Sequence, residues 1–399
     1  MAIRRCVLLA ASFLIAVASH AAAQGLPSEA LAFGDGRVVL SGDVTATIAP
    51  SDPGFFTYGT YEHSSLRELR MGLSARVRAN SRLSLLAEVR SQNLEVTPFA
   101  LYARIRPFKD APLDIQVGRI PPTFGRASRL LYARDNPLIG LPLAYQYLTS
   151  MRPDAVPATA DELLNMRARG WLAGYSVGNA TLKAGVPVAS AFSFDTGVQV
   201  TSAWRLVTLS GAVTSGTLSN PRVADDNGGK QVQARVTVRP SSGLELGGSF
   251  ARGAFVSRTV LHAFDPPPAD SFVQQAFGLD MEYGRGHWLA RAEGIVNEWR
   301  IPLGTITQPL RSAAGSVEGR YAFLPGMYAA ARLEHLAFSR IHGSSVTLPW
   351  DAPVTRLEIG GGYYIRRNII ARGSWQLNQR DGGRIRSANF GAAQLLYWF

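Results

Sequence analysis

Proton transfer and metal binding near neutral pH fall first to histidine, and five histidines lie beyond residue 24: His63, His262, His287, His335 and His342. No HExxH, GxSxG or paired-histidine metal spacing is read around them. His63 adjoins Ser64, but both residue types are common in loops, so the pair is a very weak hydrolase signal. Cys6 is the single cysteine, and it lies in an N-terminal segment expected to be removed. The mature chain then has no thiol nucleophile, no thiolate metal site and no internal disulfide. The expectation is a protein without a catalytic site, metal or cofactor, with an outer-membrane hydrolase as the remote alternative.

Arginine is the residue with a pattern. The stretch Arg356 to Gln379 places Leu357, Ile359, Gly361, Tyr363 and Ile365 on one face of a strand and Arg356, Glu358 and Arg366 on the other. After a turn near Arg367-Asn368 the alternation resumes, with Trp375 and Leu377 opposite Arg372, Gln376 and Asn378. Applied along the chain, the same alternation puts Arg70, Arg76, Arg90, Arg104, Arg106, Arg235, Arg291, Arg320, Arg332, Arg356 and Arg372 on the polar face. Glu88, Asp114, Asp280, Glu282, Glu293, Glu318, Glu334 and Glu358 are interleaved with them. If such strands cross a membrane, an arginine facing lipid at the midplane costs about 2–4 kcal/mol, so these charges must line an interior. There they have two roles. Arg and Glu on neighbouring strands pair and stiffen the wall, and the surplus of arginine leaves a positive lumen that favours anions.

The rest of the chain says where such strands belong. Arg4 and Arg5 precede the apolar run VLLAASFLIAVA and the small-residue site ending at Ala23, which reads as a signal peptide over 1–23. Its removal lowers the formal charge from +12 to +10. Export makes nucleic acid an unfit partner for that charge and leaves lipid or small anions. No later stretch has the roughly 18 consecutive apolar residues of a spanning helix.

About eighteen alternating stretches follow residue 37, with sixteen as the alternative count, and many approach the roughly 9–11 residues of a tilted membrane strand. They include 113–120, 168–177, 181–188, 194–203, 354–365, 369–378 and 387–399. Connections alternate between short turns, as at Asn80-Ser81 and Gly178-Asn179, and longer segments such as 49–65, 121–167 and 255–272. The reading is an all-β, antiparallel up-and-down transmembrane barrel over 37–399, after a short periplasmic segment 24–36. That segment is too short for a plug domain. An even strand count puts both termini at the short-turn end, and Trp204, Trp288, Tyr321 and Tyr328 beside short turns form an aromatic girdle there.

The chain ends in GAAQLLYWF, with Tyr397 and Phe399 on the outward face of the closing strand. A signal peptide, a cysteine-free mature chain and this Tyr-x-Phe ending resemble the porins of Gram-negative outer membranes. The stretch VGRIPPTFG, Val117 to Gly125, is also similar to a Gly-Arg…Phe-Gly element of phosphate-selective and related porins. The resemblance implies residence in outer-membrane lipid and recognition of Tyr397 and Phe399 by the barrel-assembly machinery. It further implies a homotrimer, and a third loop folded into the lumen.

That loop would be 121–167, and its apolar segment NPLIGLPLAYQYL, Asn136 to Leu148, is unlike an exposed connection. A lid or a subunit contact is the alternative placement. Thr159 and Glu162 stand at capping-box spacing, which predicts a short helix. Arg126, Arg129, Arg134, Asp135 and Arg152 are the candidate constriction residues. The functional expectation is a channel for passive diffusion of small polar solutes, weakly anion-favouring. A plugged structural or adhesive barrel is the alternative.

Overall fold

The computed structural model describes residues 27–59, 64–109, 111–191, 194–264, 272–301 and 308–399. The expected signal peptide and His63 lie outside these residues. Among them, sixteen antiparallel strands form one closed barrel. The first eight are β1 (Val38–Ile48), β2 (Glu68–Arg78), β3 (Leu83–Gln92), β4 (Glu95–Ile105), β5 (Leu113–Ile120), β6 (Asp195–Ala203), β7 (Val207–Thr214) and β8 (Gln231–Ser241). The second eight are β9 (Leu244–Ala254), β10 (Val273–Arg285), β11 (Trp288–Trp299), β12 (Leu310–Leu324), β13 (Met327–Phe338), β14 (Val354–Arg366), β15 (Ile369–Arg380) and β16 (Ser387–Trp398).

Each strand pairs with the next. Pairing of β1 with β16, from Asp43↔Trp398 to Ile48↔Ala393, closes the sheet. Phe399 extends the seam, since its N–H and carbonyl both bond the backbone of Gly42, at 2.9 and 3.1 Å. Closure removes the free edges that would otherwise expose unpaired backbone.

The burial pattern is the inverse of a water-soluble sheet. On β13, exposed and buried residues alternate, and the buried set includes Arg332 and Glu334. Leu279, Val317, Ile359 and Trp375 are 73 %, 62 %, 51 % and 53 % exposed, whereas Arg356 and Glu358 are 0 % exposed. Only an apolar surround outside and a polar, filled interior accommodate that arrangement.

The strand count is sixteen because two predicted strands, 168–177 and 181–188, are not wall strands. β5 ends at Ile120 and β6 begins at Asp195, so the third loop runs from 121 to 194. Within it the 168–188 stretch folds back on the loop itself. Ala173 and Lys183 exchange backbone hydrogen bonds, Gly185 donates to Gly170, and Thr149 and Val186 bond across to the same loop. A Cβ at Gly170 or Gly185 would run into the backbone of Leu148 or Thr149, so both glycines serve close chain approach. The alternation is in the sequence, but in the structure this stretch has only the two-residue strand Val177–Gly178 and the isolated bridge of Ala173 with Lys183, both paired within the loop. Two strands fewer is an even change, so the side of every later turn is unaltered.

A second correction concerns Tyr328. Trp204, Trp288 and Tyr321 are outward and exposed, with the Trp288 and Tyr321 rings 4.4 Å apart. Tyr328 is buried, and its register opposite Ala322 and Gly362 puts it on the same face as Arg332. Tyr363, half exposed, stands on the outward face in its place.

Replacing residues 170–185 by a short Gly/Ser link should leave a closed barrel, read as β-sheet circular dichroism and heat-modifiable electrophoretic migration. Loss of both would mean that this hairpin belongs to the wall.

Candidate functional site

The interior is organised around the third loop. Leu138, Ile139, Leu141, Leu143, Tyr145, Tyr147 and Leu148 are all buried, so the apolar segment packs inside the barrel. Leu138 and Ala133 contact Ala330, Ile370 and Leu396 of the wall. A one-turn helix, Leu143–Gln146, and a helix at Ala160–Asn165 are its only α-helical pieces among the described residues. Thr159 Oγ1 caps the second by accepting from Glu162 N–H at 3.2 Å.

Irregular chain inside a barrel has peptide groups that no ladder satisfies, and each unpaired one is costly. The wall supplies the partners. Glu334 accepts from the Leu143 N–H at 2.8 Å, Glu358 from the Gly140 N–H at 2.9 Å, and Glu293 from the Arg126 N–H at 2.9 Å. In the opposite sense Arg332 donates to the Gly140 carbonyl at 2.5 Å, Arg356 to Leu141 at 3.1 Å, and Arg372 to Ala133 at 2.5 Å. Tyr328 Oη donates to the Pro137 carbonyl at 2.9 Å, which gives the buried tyrosine its task. A Cβ at Gly140 would meet the ends of the Gln376 and Glu358 side chains, which would have to shift to admit it.

The same wall residues pair with one another. Arg332, 1 % exposed, lies 3.1 Å from Glu318, 3.3 Å from Glu334 and 2.9 Å from Glu358. Arg291 bridges Glu282 and Glu318 at 2.8 and 3.0 Å. Arg235 holds Asp280 through two parallel bonds of 2.6 and 2.7 Å, the planar fork that favours arginine for such contacts. Arg90 pairs with Glu88 at 2.5 Å and lies over the rings of Phe99 and Tyr132. Arg70 is 3.5 Å from Glu68, and Arg320 stacks on Tyr328. Arg104 and Arg106 share Asp114 at 2.5 and 3.3 Å.

The five loop residues singled out from the sequence part company. Arg126 is anchored by Glu245 and Glu282. Arg129 is exposed and borders two cavities. Arg134 is also exposed, 3.8 Å from Asp135. Arg152 is fully buried inside the loop, bonding Asp154 and the carbonyls of Ala173 and Thr181. It fixes the loop's own hairpin. Burial opposes ionisation of Asp154, but hydrogen bonds and charge from Arg152, with Lys183 and Asn179, hold its carboxyl below the ordinary range. Asp351, in the connection before β14, accepts from the N–H groups of Ser150 and Ala168 and ties that connection to the third loop. Complete burial pushes its carboxyl up.

One feature went unread in the sequence, and the reading that no GxSxG is present needs correction. Arg380 donates to the Gly54 and Ile385 carbonyls and lies over the Phe56 ring, joining the first and last outward loops. Its place at the end of an alternating strand was the available signal. The string Gly174-Tyr175-Ser176-Val177-Gly178 has GxSxG spacing. Ser176 Oγ donates to Glu162 at 2.9 Å, and no histidine bonds it among the described residues. Nor does the string turn from a strand into a helix, as a nucleophile elbow does.

Three cavities follow the side of the loop. One of about 150 Å³ lies between Arg126, Arg129, Asp135, Glu282, Arg291 and Glu318. The next, about 600 Å³, shares Arg129 and extends past Tyr132 to Arg76 and Leu86. The third, about 350 Å³, shares Arg76 and Leu86 and opens at the short-turn end.

No protein-family model and no curated protein sequence matches the chain. Solved structures do. OmpF of Salmonella typhi, in a complex with daunomycin, aligns over 91 % of this chain and 97 % of its own, with a TM-score of 0.57 and 11 % identity. This chain has the porin-type barrel fold. An anion-selective porin from Comamonas acidovorans matches over 91 % and 99 % of the two chains, with a TM-score of 0.55 and 10 % identity. The trimer form of OmpT, an outer membrane protein of Vibrio cholerae, gives the same coverage at a TM-score of 0.55 and 12 % identity.

Arg332→Met should destabilise the protein by about 3–5 kcal/mol, because Glu318, Glu334 and Glu358 lose their shared cation while still buried. Urea unfolding of the refolded barrel measures it. Gly140→Val, which leaves every charge in place, should loosen the loop and increase protease cleavage between 127 and 190.

Proposed function

We propose that this chain is an outer-membrane porin through which small polar solutes diffuse, with a weak preference for anions and no covalent step. The observation that carries the reading is the run of three cavities beside the third loop, neighbouring ones bordered in common by Arg129 and then by Arg76 and Leu86. A barrel built only as a scaffold has no need of polar cavities beside its internal loop. The third loop acts as the size filter, and the wall charges that hold it form the polar lining. Binding along such a path must be weak enough to permit release.

The short-turn end then faces the periplasm. Tyr397 and Phe399, at the closing seam, are the candidate signal for the barrel-assembly machinery, and the assembled form is a homotrimer in outer-membrane lipid. An anion-selective porin and a trimeric OmpT are among the proteins of like fold.

Planar-bilayer recording of the refolded mature protein tests the channel. Stable conductance steps are expected, and removal of residues 127–190 should at least double their size. A correctly folded barrel that never conducts would overturn the reading in favour of a plugged structural barrel. Lipase or protease activity of the purified barrel, with loss of that activity in Ser176→Ala, would make it a hydrolase instead.

A further inference from the structure

Three arginines beside the third loop are matched by carboxylates: Arg126 has Glu245 and Glu282, Arg291 has Glu282 and Glu318, and Arg332 has three glutamates. Their charge is largely spent locally. The cavity of about 350 Å³ at the periplasmic mouth differs. Arg76, Arg78, Arg82, Arg104 and Arg106 line it, together with Ser81 and Ser84.

The strand register explains the convergence. Arg78, Ser84 and Arg104 face each other in one row across β2, β3 and β4, and Arg76, Leu86 and Tyr102 occupy the next. Adjacent strands lie roughly 4.8 Å apart, so Arg78 and Arg104 are rooted about 10 Å from each other. Arg82 joins from the turn between β2 and β3, where its backbone carbonyl also accepts from Arg106 N–H at 2.8 Å. Asp114 is the one carboxylate bonded to the group among the described residues, and it is shared by Arg104 and Arg106. Arg76, Arg78 and Arg82 have no side-chain partner among the described residues. Five guanidinium groups around one concave space, with one carboxylate, focus a positive field there. Their planar, multi-donor heads suit the tetrahedral oxygens of phosphate-type anions better than a bare halide.

We propose that these five arginines form a binding site for multivalent inorganic oxyanions in the periplasmic vestibule. This site, rather than the arginines of the third loop, sets the ionic preference of the channel. The second half of the proposal rests on the channel reading; the first does not.

The test uses the refolded full mature barrel and inorganic phosphate. Calorimetric titration should show phosphate binding to the parent protein, weakened at least tenfold in Arg76→Gln/Arg78→Gln/Arg82→Gln. Arg205→Gln/Arg285→Gln, which removes charge from other periplasmic turns, should bind as the parent does. Arg82→Gln alone, in a turn, serves if the triple variant fails to fold, with an expected weakening of at least twofold. In bilayers under a potassium chloride gradient, the chloride-over-potassium permeability ratio should fall at least twofold in the triple variant and less in Arg126→Gln. No phosphate binding to the parent, or binding unchanged in the variants, overturns the site even if the protein conducts. An equal or larger shift of the ratio in Arg126→Gln overturns its role in selection. Phosphate binding lost in the variants of a barrel that never conducts upholds the site while the channel reading falls.

Discussion

Everything in this barrel depends on satisfying the backbone of a loop that lies inside it. The third loop runs through the lumen with few helical or ladder hydrogen bonds of its own, at a depth where lipid surrounds the wall. Its peptide groups are met by ionised side chains of the wall: Glu334 and Glu358 take N–H groups of Leu143 and Gly140, while Arg332, Arg356 and Arg372 give to carbonyls of Gly140, Leu141 and Ala133. Non-helical backbone is tolerated at this depth only where protein or water receives it. The wall charges are therefore first a set of backbone partners and second a set of ion pairs.

That double duty determines where charge is left over. A buried arginine must find partners, so around the loop Arg126, Arg291 and Arg332 are accompanied by carboxylates, whereas Arg356 and Arg372 give to backbone carbonyls. Away from the loop, at the periplasmic mouth, no such demand exists, and Arg76, Arg78 and Arg82 face the vestibule with no carboxylate bonded to them among the described residues. On the outside of the wall the requirement is simpler: apolar residues such as Leu279 and Val317 face the surround, and Trp288 and Tyr321 stack where the strands meet the interface.

Much of this was legible in the sequence because membrane barrels obey a period of two. The alternation at Arg356 to Gln379 already separates lipid-facing Ile359 and Trp375 from lumen-facing Arg356 and Arg372, and the structure places them so. The short helix after Thr159 was legible from its capping residues. Two elements were not. The 168–188 stretch alternates like a wall strand, yet its extended arms pair within the loop through Gly170 and Gly185. Tyr328 sits beside a short turn as a girdle residue would, but its register turns it inward to Pro137.

Composition and alternation by themselves determined the class of fold, the outward and inward faces of the strands, and the need for a polar interior. Those follow from nearest-neighbour geometry and from the transfer cost of charge, which act on every strand alike. Only the tertiary structure decided which extended stretches join the wall, which glutamate meets which arginine, and which arginines are left without one. Pairing partners such as Gly140 and Glu358, or Arg126 and Glu293, are more than 150 residues apart in the chain. No local pattern encodes contacts at that separation; barrel closure and the path of the loop create them.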